Sequence, residues 1–243
     1  MTDAPAAPNA SPTSEASVWE DVIDIFISPA KVFARRRDAG FGLALVILAV
    51  ALTVMYFVSR GVLEPVFDAE FRRGMADALK QNPQLTEEQL NQMRTFSDTF
   101  GGVFIFGFGL VAPLLTAAAV WLVGKAVDSK LTYRGAAVVS TYAFYPRILE
   151  SVVNAVQGFL LPEESLDGRY RLTLGVGRFL DPDTASKLLL AVVGRIDLFT
   201  LWVTFLIGLG LHVNGKVAKG PAFAAAAIVW LVGALPGLWQ AMQ

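Results

Sequence analysis

The stretch from Leu188 to Leu211 constrains the fold more than any other part of the chain. Its 24 residues contain only two charged side chains, Arg195 and Asp197. A helix of about 20 mostly apolar residues crosses the hydrocarbon core of a bilayer, which is about 30 Å thick. The stretch is therefore predicted to be a membrane span. Because a charged side chain at the centre of an isolated span costs roughly 2.5–3.5 kcal/mol on insertion, other helices must pack around these two residues.

Two further runs, 41–58 and 100–124, carry no charge at all. Hydrophobic residues make up 54% of the 243 residues and charged residues only 17%, whereas ordinary soluble domains have roughly 25% charged residues. These features predict an all-α integral membrane protein. The formal net charge is −1, so the chain has no overall basic field that would indicate nucleic-acid binding.

The chain is predicted to form one membrane domain over residues 18–243. Residues 1–17 are rich in Ala, Pro, Ser and Thr without an apolar period, which is typical of a disordered tail. Five apolar segments are then expected to cross the bilayer. These predicted spans are 41–58, 100–124, 135–161, 188–212 and 222–239.

Two longer polar segments, 59–99 and 162–187, separate the predicted spans on one side. Within the first, Thr86 followed by Gln89 matches a capping box, which indicates the start of a helix. Within the second, apolar and polar residues alternate over 170–174. This alternation predicts a short hairpin.

Small residues and prolines are frequent inside the predicted spans. Glycines allow helix backbones to approach closely, and the second span contains Gly101, Gly102, Gly107 and Gly109 among others. Proline removes a backbone donor and kinks a helix. Kinks are therefore expected at Pro113, Pro146 and Pro236.

Basic residues are concentrated in three short segments, 31–37, 125–134 and 213–221. The segments 59–99 and 162–187 hold nine Lys and Arg residues, but these are spread over 67 residues and outnumbered by twelve acidic ones. The positive-inside rule then places the N-terminus and the three basic segments in the cytoplasm. Five spans place the C-terminus on the opposite side.

A short amphipathic helix is predicted before the first span. Four apolar residues, Trp19, Val22, Ile23 and Phe26, follow the helical spacing i, i+3, i+4, i+7. The acidic residues Glu20, Asp21 and Asp24 are predicted on the opposite side of the helix. Such a helix lies in the membrane interface or binds a partner, or else packs structurally against the cytoplasmic side of the bundle.

Four ionisable residues in the third and fourth spans form a candidate site: Arg147, Glu150, Arg195 and Asp197. Residues two apart on a helix point about 200° apart, so Arg195 and Asp197 cannot pair with each other, whereas Arg147 and Glu150 can. With a rise of about 1.5 Å per residue, Glu150 is expected to meet Arg195, and Arg147 to reach toward Asp197. This intramembrane cluster is either a structural clamp or a polar site for an ion, a proton or a lipid headgroup.

Signals for catalysis and cofactor binding are absent from the sequence. The chain has no cysteine and one histidine, His212, which excludes a conventional zinc site. It contains no Gly-x-Ser-x-Gly elbow and no Walker loop. We therefore expect no catalytic residue, no cofactor site and no metal site, and no enzyme activity.

Three segments of the chain have distinctive sequences: IDIFISPAKVF at 23–33, TYAFYPRILESVV at 141–153 and RIDLFTLWVTFLIGLGL at 195–211. They resemble the bacterial branch of the Yip family, the Ypt/Rab-GTPase-interacting membrane proteins. The resemblance implies five spans with a cytoplasmic N-terminus, here in a cell membrane, the inner membrane of a bacterium. Eukaryotic members are associated with Rab GTPases and vesicle traffic, but a GTPase partner is not carried over to this chain.

The sequence thus favours a non-enzymatic membrane protein that organises the membrane or acts as a partner-binding scaffold. Its expected partners are the lipid bilayer and either another membrane protein or a second copy of the chain. The alternative is a small transporter or channel that uses the intramembrane cluster of Arg, Glu and Asp side chains.

Overall fold

The computed structural model describes residues 17–37 and 39–242. Helix accounts for 77% of them, and this part of the chain contains no strand. The predicted tail over 1–17 lies outside the described residues except for Ser17, whose hydroxyl caps the first helix. The prediction of a hairpin over 170–174 is wrong. Arg169–Leu172 forms a single helical turn instead, and the nearest strand-like feature is an isolated bridge between Gly175 and Asp197.

The first half of the chain contains two short helices, one apolar helix, one polar helix and one very long helix. These are α1 (Val18–Ile27), α2 (Pro29–Arg35), α3 (Gly42–Ser59), α4 (Glu64–Gln81) and α5 (Glu87–Lys125). The long helix α5 begins with the predicted capping box. The Thr86 hydroxyl accepts from the Gln89 N–H at 3.3 Å, and the Gln89 side chain accepts from the Thr86 N–H at 2.9 Å. The second predicted span is therefore the later part of a longer helix.

The second half is built from shorter helices. They are α6 (Tyr133–Ala143), α7 (Pro146–Leu160), α8 (Arg169–Leu172), α9 (Lys187–Val193), α10 (Leu198–Val213), α11 (Lys219–Val232) and α12 (Leu235–Ala241). The third and fourth predicted spans, 135–161 and 188–212, are thus each divided between two helices. By length and composition, the helices able to cross a membrane in the described chain are Gly42–Ser59, Glu87–Lys125 and Lys219–Ala241. The count of five spans stays a prediction.

The prolines occupy two kinds of position. Pro113 lies buried inside α5. Pro146 and Pro236 lie in the first turn of α7 and of α12, each of which follows a break in the chain. A proline is tolerated in the first turn because its missing N–H would have no partner there. Pro146 and Pro236 therefore lie at helix boundaries and not in the middle of a helix.

Close helix contacts hold the bundle together. α3 packs on α5, α5 on α6 and α11, and α10 on α6 and α11. A side chain at Gly109 would meet the backbone of Ala49, and one at Gly124 would meet Ser129. Gly107, in contrast, faces open space. Small residues at crossings allow this close approach of helices in membranes.

The two polar segments meet at one end of the bundle and form a unit that we call the polar cap, residues 64–81 and 162–187. Arg73 pairs with Asp183 at 2.7 Å, and Lys187 pairs with Asp77 at 2.8 Å. Hydrogen bonds from Arg73 and from Lys187 lower the pKa of Asp183 and of Asp77, respectively. Because these carboxylates are partly exposed, each pair contributes little alone. Together they connect segments that are about 100 residues apart in sequence.

Candidate functional site

The first candidate site is the helix pair α1–α2, whose α1 is oriented by a buried acid. Asp21 and Ile25 are completely buried, whereas Trp19, Ile23 and Ile27 are 68%, 63% and 75% exposed. The apolar residues predicted to share one face are therefore divided. Trp19 and Ile23 point outward, while Val22 and Phe26 pack partly buried against the core. We call Trp19, Ile23 and Ile27 the apolar stripe.

Asp21 lies at the centre of a polar cluster that we call the latch: Asp21, Arg35, Arg36 and Tyr142. Its carboxylate accepts from Arg35 Nε at 2.5 Å and from the Tyr142 hydroxyl at 3.0 Å, and it also pairs with Arg36. A buried carboxylate is stable only when it is paired and hydrogen-bonded. The latch meets this condition, and it fixes both N-terminal helices to α6.

Further contacts attach the helix pair to the bundle. Phe26 packs edge-on against Trp202 of α10, with ring centroids 5.7 Å apart. The guanidinium of Arg37 donates to the Val213 carbonyl at 2.5 Å, at the end of α10. Val32 and Phe33 of α2 are completely buried. The pair is therefore a fixed part of the fold, with one apolar stripe left uncovered.

The second candidate site contains the predicted intramembrane residues, of which the structure pairs two. Arg147 Nη1 donates to Glu150 at 2.6 Å, and its Nη2 donates to the Thr200 hydroxyl at 2.9 Å. Arg147 therefore joins α7 to α10. Among the described residues, no ion pair joins Glu150 to Arg195 or Arg147 to Asp197.

Arg195 and Asp197 have other partners because the chain turns between α9 and α10. Arg195 donates to the carbonyls of Gly233 and Trp230 at 2.9 and 3.0 Å, at the C-terminal end of α11. Carbonyls at a helix C-terminus carry partial negative charge and attract cations. Asp197 is the N-cap of α10 and accepts from the N–H groups of Phe199 and Thr200 at 2.9 and 3.1 Å.

A cavity of about 780 Å³ lies beside these residues, between α3, α5, α7, α10 and α11. The cavity lining contains three guanidinium groups, those of Arg147, Arg169 and Arg195, but only one carboxylate, that of Glu150. Uncharged polar side chains also contribute to the wall: Tyr56, Ser59, Thr116, Ser151, Asn154, Thr200 and Thr204. Most other lining residues are apolar, so the cavity combines a cationic region with an apolar region.

Sequence reasoning missed two features of these sites. It placed Asp21 on the polar side of α1, because periodicity alone cannot show that a distant Tyr142 and two arginines neutralise it. It also missed Arg169, which the fold of the polar cap brings to the cavity. The capping role of Asp197 could have been found, since an Asp directly before a long apolar run is a common helix start.

The fold and the sites define an all-helical, multi-pass membrane protein. The profile of the Yip1 domain matches residues 23–240, so the chain belongs to the Yip1 domain family. Neither a curated protein nor a solved structure matches it. The resemblance expected from the three motif segments is confirmed for the family, while its bacterial branch stays a prediction. Within residues 17–37 and 39–242, no group of His, Asp and Glu side chains could hold a metal ion.

The motif segments converge on the two sites. Segment 23–33 supplies Ile25, Val32 and Phe33, which are buried in α1 and α2. Segment 141–153 supplies Tyr142 to the latch and Arg147 to the cavity. Segment 195–211 supplies Arg195 to the cavity wall. Each of the three motif segments therefore contributes residues to the helix pair, to the latch or to the cavity.

Proposed function

We propose that this chain is a non-enzymatic membrane protein that organises the membrane, with α1 as the element that enters the lipid interface. The observation that carries the proposal is the apolar stripe on a helix that the latch holds in place. Each large apolar side chain gains roughly 1.5–3 kcal/mol when it leaves water. Trp and aliphatic residues beside basic ones are typical of helices that lie in the headgroup region, and Lys31, four residues after Ile27, is exposed.

Membership of the Yip1 domain family agrees with a membrane role and does not favour the alternative of a small transporter or channel. The same stripe could also hold a membrane-protein partner or a second copy of the chain, as the scaffold hypothesis expects. Lipid is the preferred occupant because the stripe lies on a helix fixed to the membrane-embedded bundle itself.

The proposal includes five spans and a cytoplasmic N-terminus in a cell membrane. The three basic segments support it, since they meet at one end of the bundle. The Lys130 N–H donates to the Gly215 carbonyl at 2.9 Å, and Arg37 donates to Val213 at the same end. Clustering of basic segments on one side is the charge pattern of a cytoplasmic face. The polar cap, with its excess of acids, lies at the opposite end.

Single cysteines test this topology, because the natural chain contains none. In intact cells, a membrane-impermeant maleimide is expected to label Gln81→Cys in the polar cap and Gln240→Cys near the C-terminus. Lys130→Cys is expected to react only after permeabilisation. The unmodified chain is the control for background labelling. Labelling of Gln240→Cys only after permeabilisation would show an even number of spans.

A second labelling experiment tests the position of α1. An environment-sensitive fluorophore on Ile23→Cys is expected to emit at shorter wavelength in phospholipid vesicles, and iodide should quench it at least about twofold less than the same fluorophore on Glu20→Cys. Glu20 is the matched control because it is exposed on the same helix. Equal quenching at the two positions would overturn the proposal that the stripe enters lipid.

A further inference from the structure

The cavity has the shape of a site for an elongated amphipathic molecule. Its lining along α5 runs from Ile105 to Ala119, which corresponds to about 21 Å of helix rise. Phe108 and Leu115 belong to this lining and are also among the exposed large residues. The cavity is therefore open to the surface alongside α5. Because α5 is one of the helices able to cross a membrane, we expect that opening to face the hydrocarbon region.

The charge in the cavity wall is not balanced. Glu150 pairs with Arg147, and the carboxylate of Asp197 is bonded to the N-terminus of α10. Arg195 has no ion pair within 4.0 Å in the described chain, and its two terminal nitrogens donate to neutral carbonyls. A cation in an apolar wall is unfavourable unless an anion lies near it. Arg169 adds a further positive group at the polar-cap end.

We propose that the cavity binds one anionic glycerophospholipid, with its phosphate beside Arg195 and Arg147 and an acyl chain along α5. A phosphodiester supplies the anion that the wall lacks, and guanidinium groups bind phosphate through charge-assisted hydrogen bonds. Below the arginines, the wall at Val203, Ile207 and Ala119 is apolar, which suits an acyl chain. The cavity volume of about 780 Å³ lies within the range of ordinary ligand sites, about 300–1,000 Å³.

Binding is tested with the full chain in a neutral detergent by native mass spectrometry. Phosphatidylglycerol is titrated against phosphatidylcholine of the same acyl length. We expect one phosphatidylglycerol to bind at least about tenfold more tightly than phosphatidylcholine, because the choline cation of phosphatidylcholine offsets its phosphodiester charge beside the arginines. Inorganic phosphate at millimolar concentration should not displace it, because free phosphate lacks the chain that fills the apolar part. Displacement by phosphate would instead assign a site for the free anion.

Two variants with opposite expected effects separate recognition from folding. Arg195→Gln should weaken phosphatidylglycerol binding about tenfold, whereas Glu150→Gln should strengthen it because Arg147 loses its competing carboxylate. Arg72→Gln makes the same change of charge as Arg195→Gln at an exposed position outside the cavity lining and should leave binding unchanged.

A third variant tests the acyl-chain part without changing charge. Thr116→Phe places a bulky ring in the cavity beside α5 and should abolish selective binding, while the melting temperature shows whether the variant is folded. Equal binding of the two lipids, or equal loss in Arg72→Gln and Arg195→Gln, would overturn the proposal. This result would leave the role proposed for α1 untouched, since the apolar stripe and the cavity share no residue.

Discussion

An Asp21→Asn variant is expected to unfold about 6–12 °C below the natural chain, because it removes the only anion from the centre of the latch. Loss of one partner of a buried ion pair costs about 3–5 kcal/mol. Arg35 and Arg36 are partly exposed and can turn toward water, so a value near the lower limit, about 3 kcal/mol, is expected. For a chain of this size, about 1 kcal/mol corresponds to about 2–4 °C. Thermal unfolding in detergent, followed by circular dichroism, measures the shift.

Asp24→Asn is the matched control, since Asp24 lies on the same helix and pairs with the same Arg35 at 2.7 Å. The Asp24 side chain is 36% exposed, whereas that of Asp21 is 0% exposed. An exposed ion pair contributes at most about 1 kcal/mol, so this variant should unfold within about 4 °C of the natural chain. Similar shifts for both variants would contradict the view that burial of Asp21 fixes the helix pair.

The sequence predicted the helices at the two uncharged runs well, because long uncharged runs have few alternatives to membrane helices. The span predicted at 41–58 corresponds to α3, Gly42–Ser59, within one residue at each end. The run at 100–124 lies inside α5, and the capping box at Thr86 marks where that helix starts. These features depend on local composition and local hydrogen bonds, which a single sequence contains.

The sites were harder to predict because they depend on where the chain turns. The expected contact of Glu150 with Arg195 assumed that 188–212 is one continuous helix. The chain instead breaks after α9, and Asp197 caps α10. The break changes the height and direction of both charged residues, so depths counted along a straight helix do not apply. Arg195 then meets carbonyls of α11, an element almost 40 residues further along the chain.

The orientation of α1 was also difficult to predict from the sequence. The helical period predicts two faces for α1, but it distinguishes them by hydrophobicity alone. Three partners that lie 14, 15 and 121 residues away stabilise the Asp21 carboxylate inside the protein. With that acid inside, Trp19 and Ile23 turn outward. Tertiary ion pairing therefore decides which apolar residues of α1 remain exposed.

Replacing Gly109 by leucine is expected to separate α3 from α5. The free energy of unfolding should fall by about 3 kcal/mol or more, because overpacking a tight contact costs about 1–3 kcal/mol even where the surroundings can adjust. A Cβ atom at this glycine would lie 2.8 Å from the Ala49 Cα, and backbone cannot move aside without shifting the helix. Gly107→Leu is the control on the same helix, because nothing lies within 4 Å of that position. It should leave stability unchanged or raise it by up to about 1 kcal/mol, the helix propensity lost at a glycine. Equal melting temperatures of the two variants in detergent would show that α3 and α5 do not cross at Gly109.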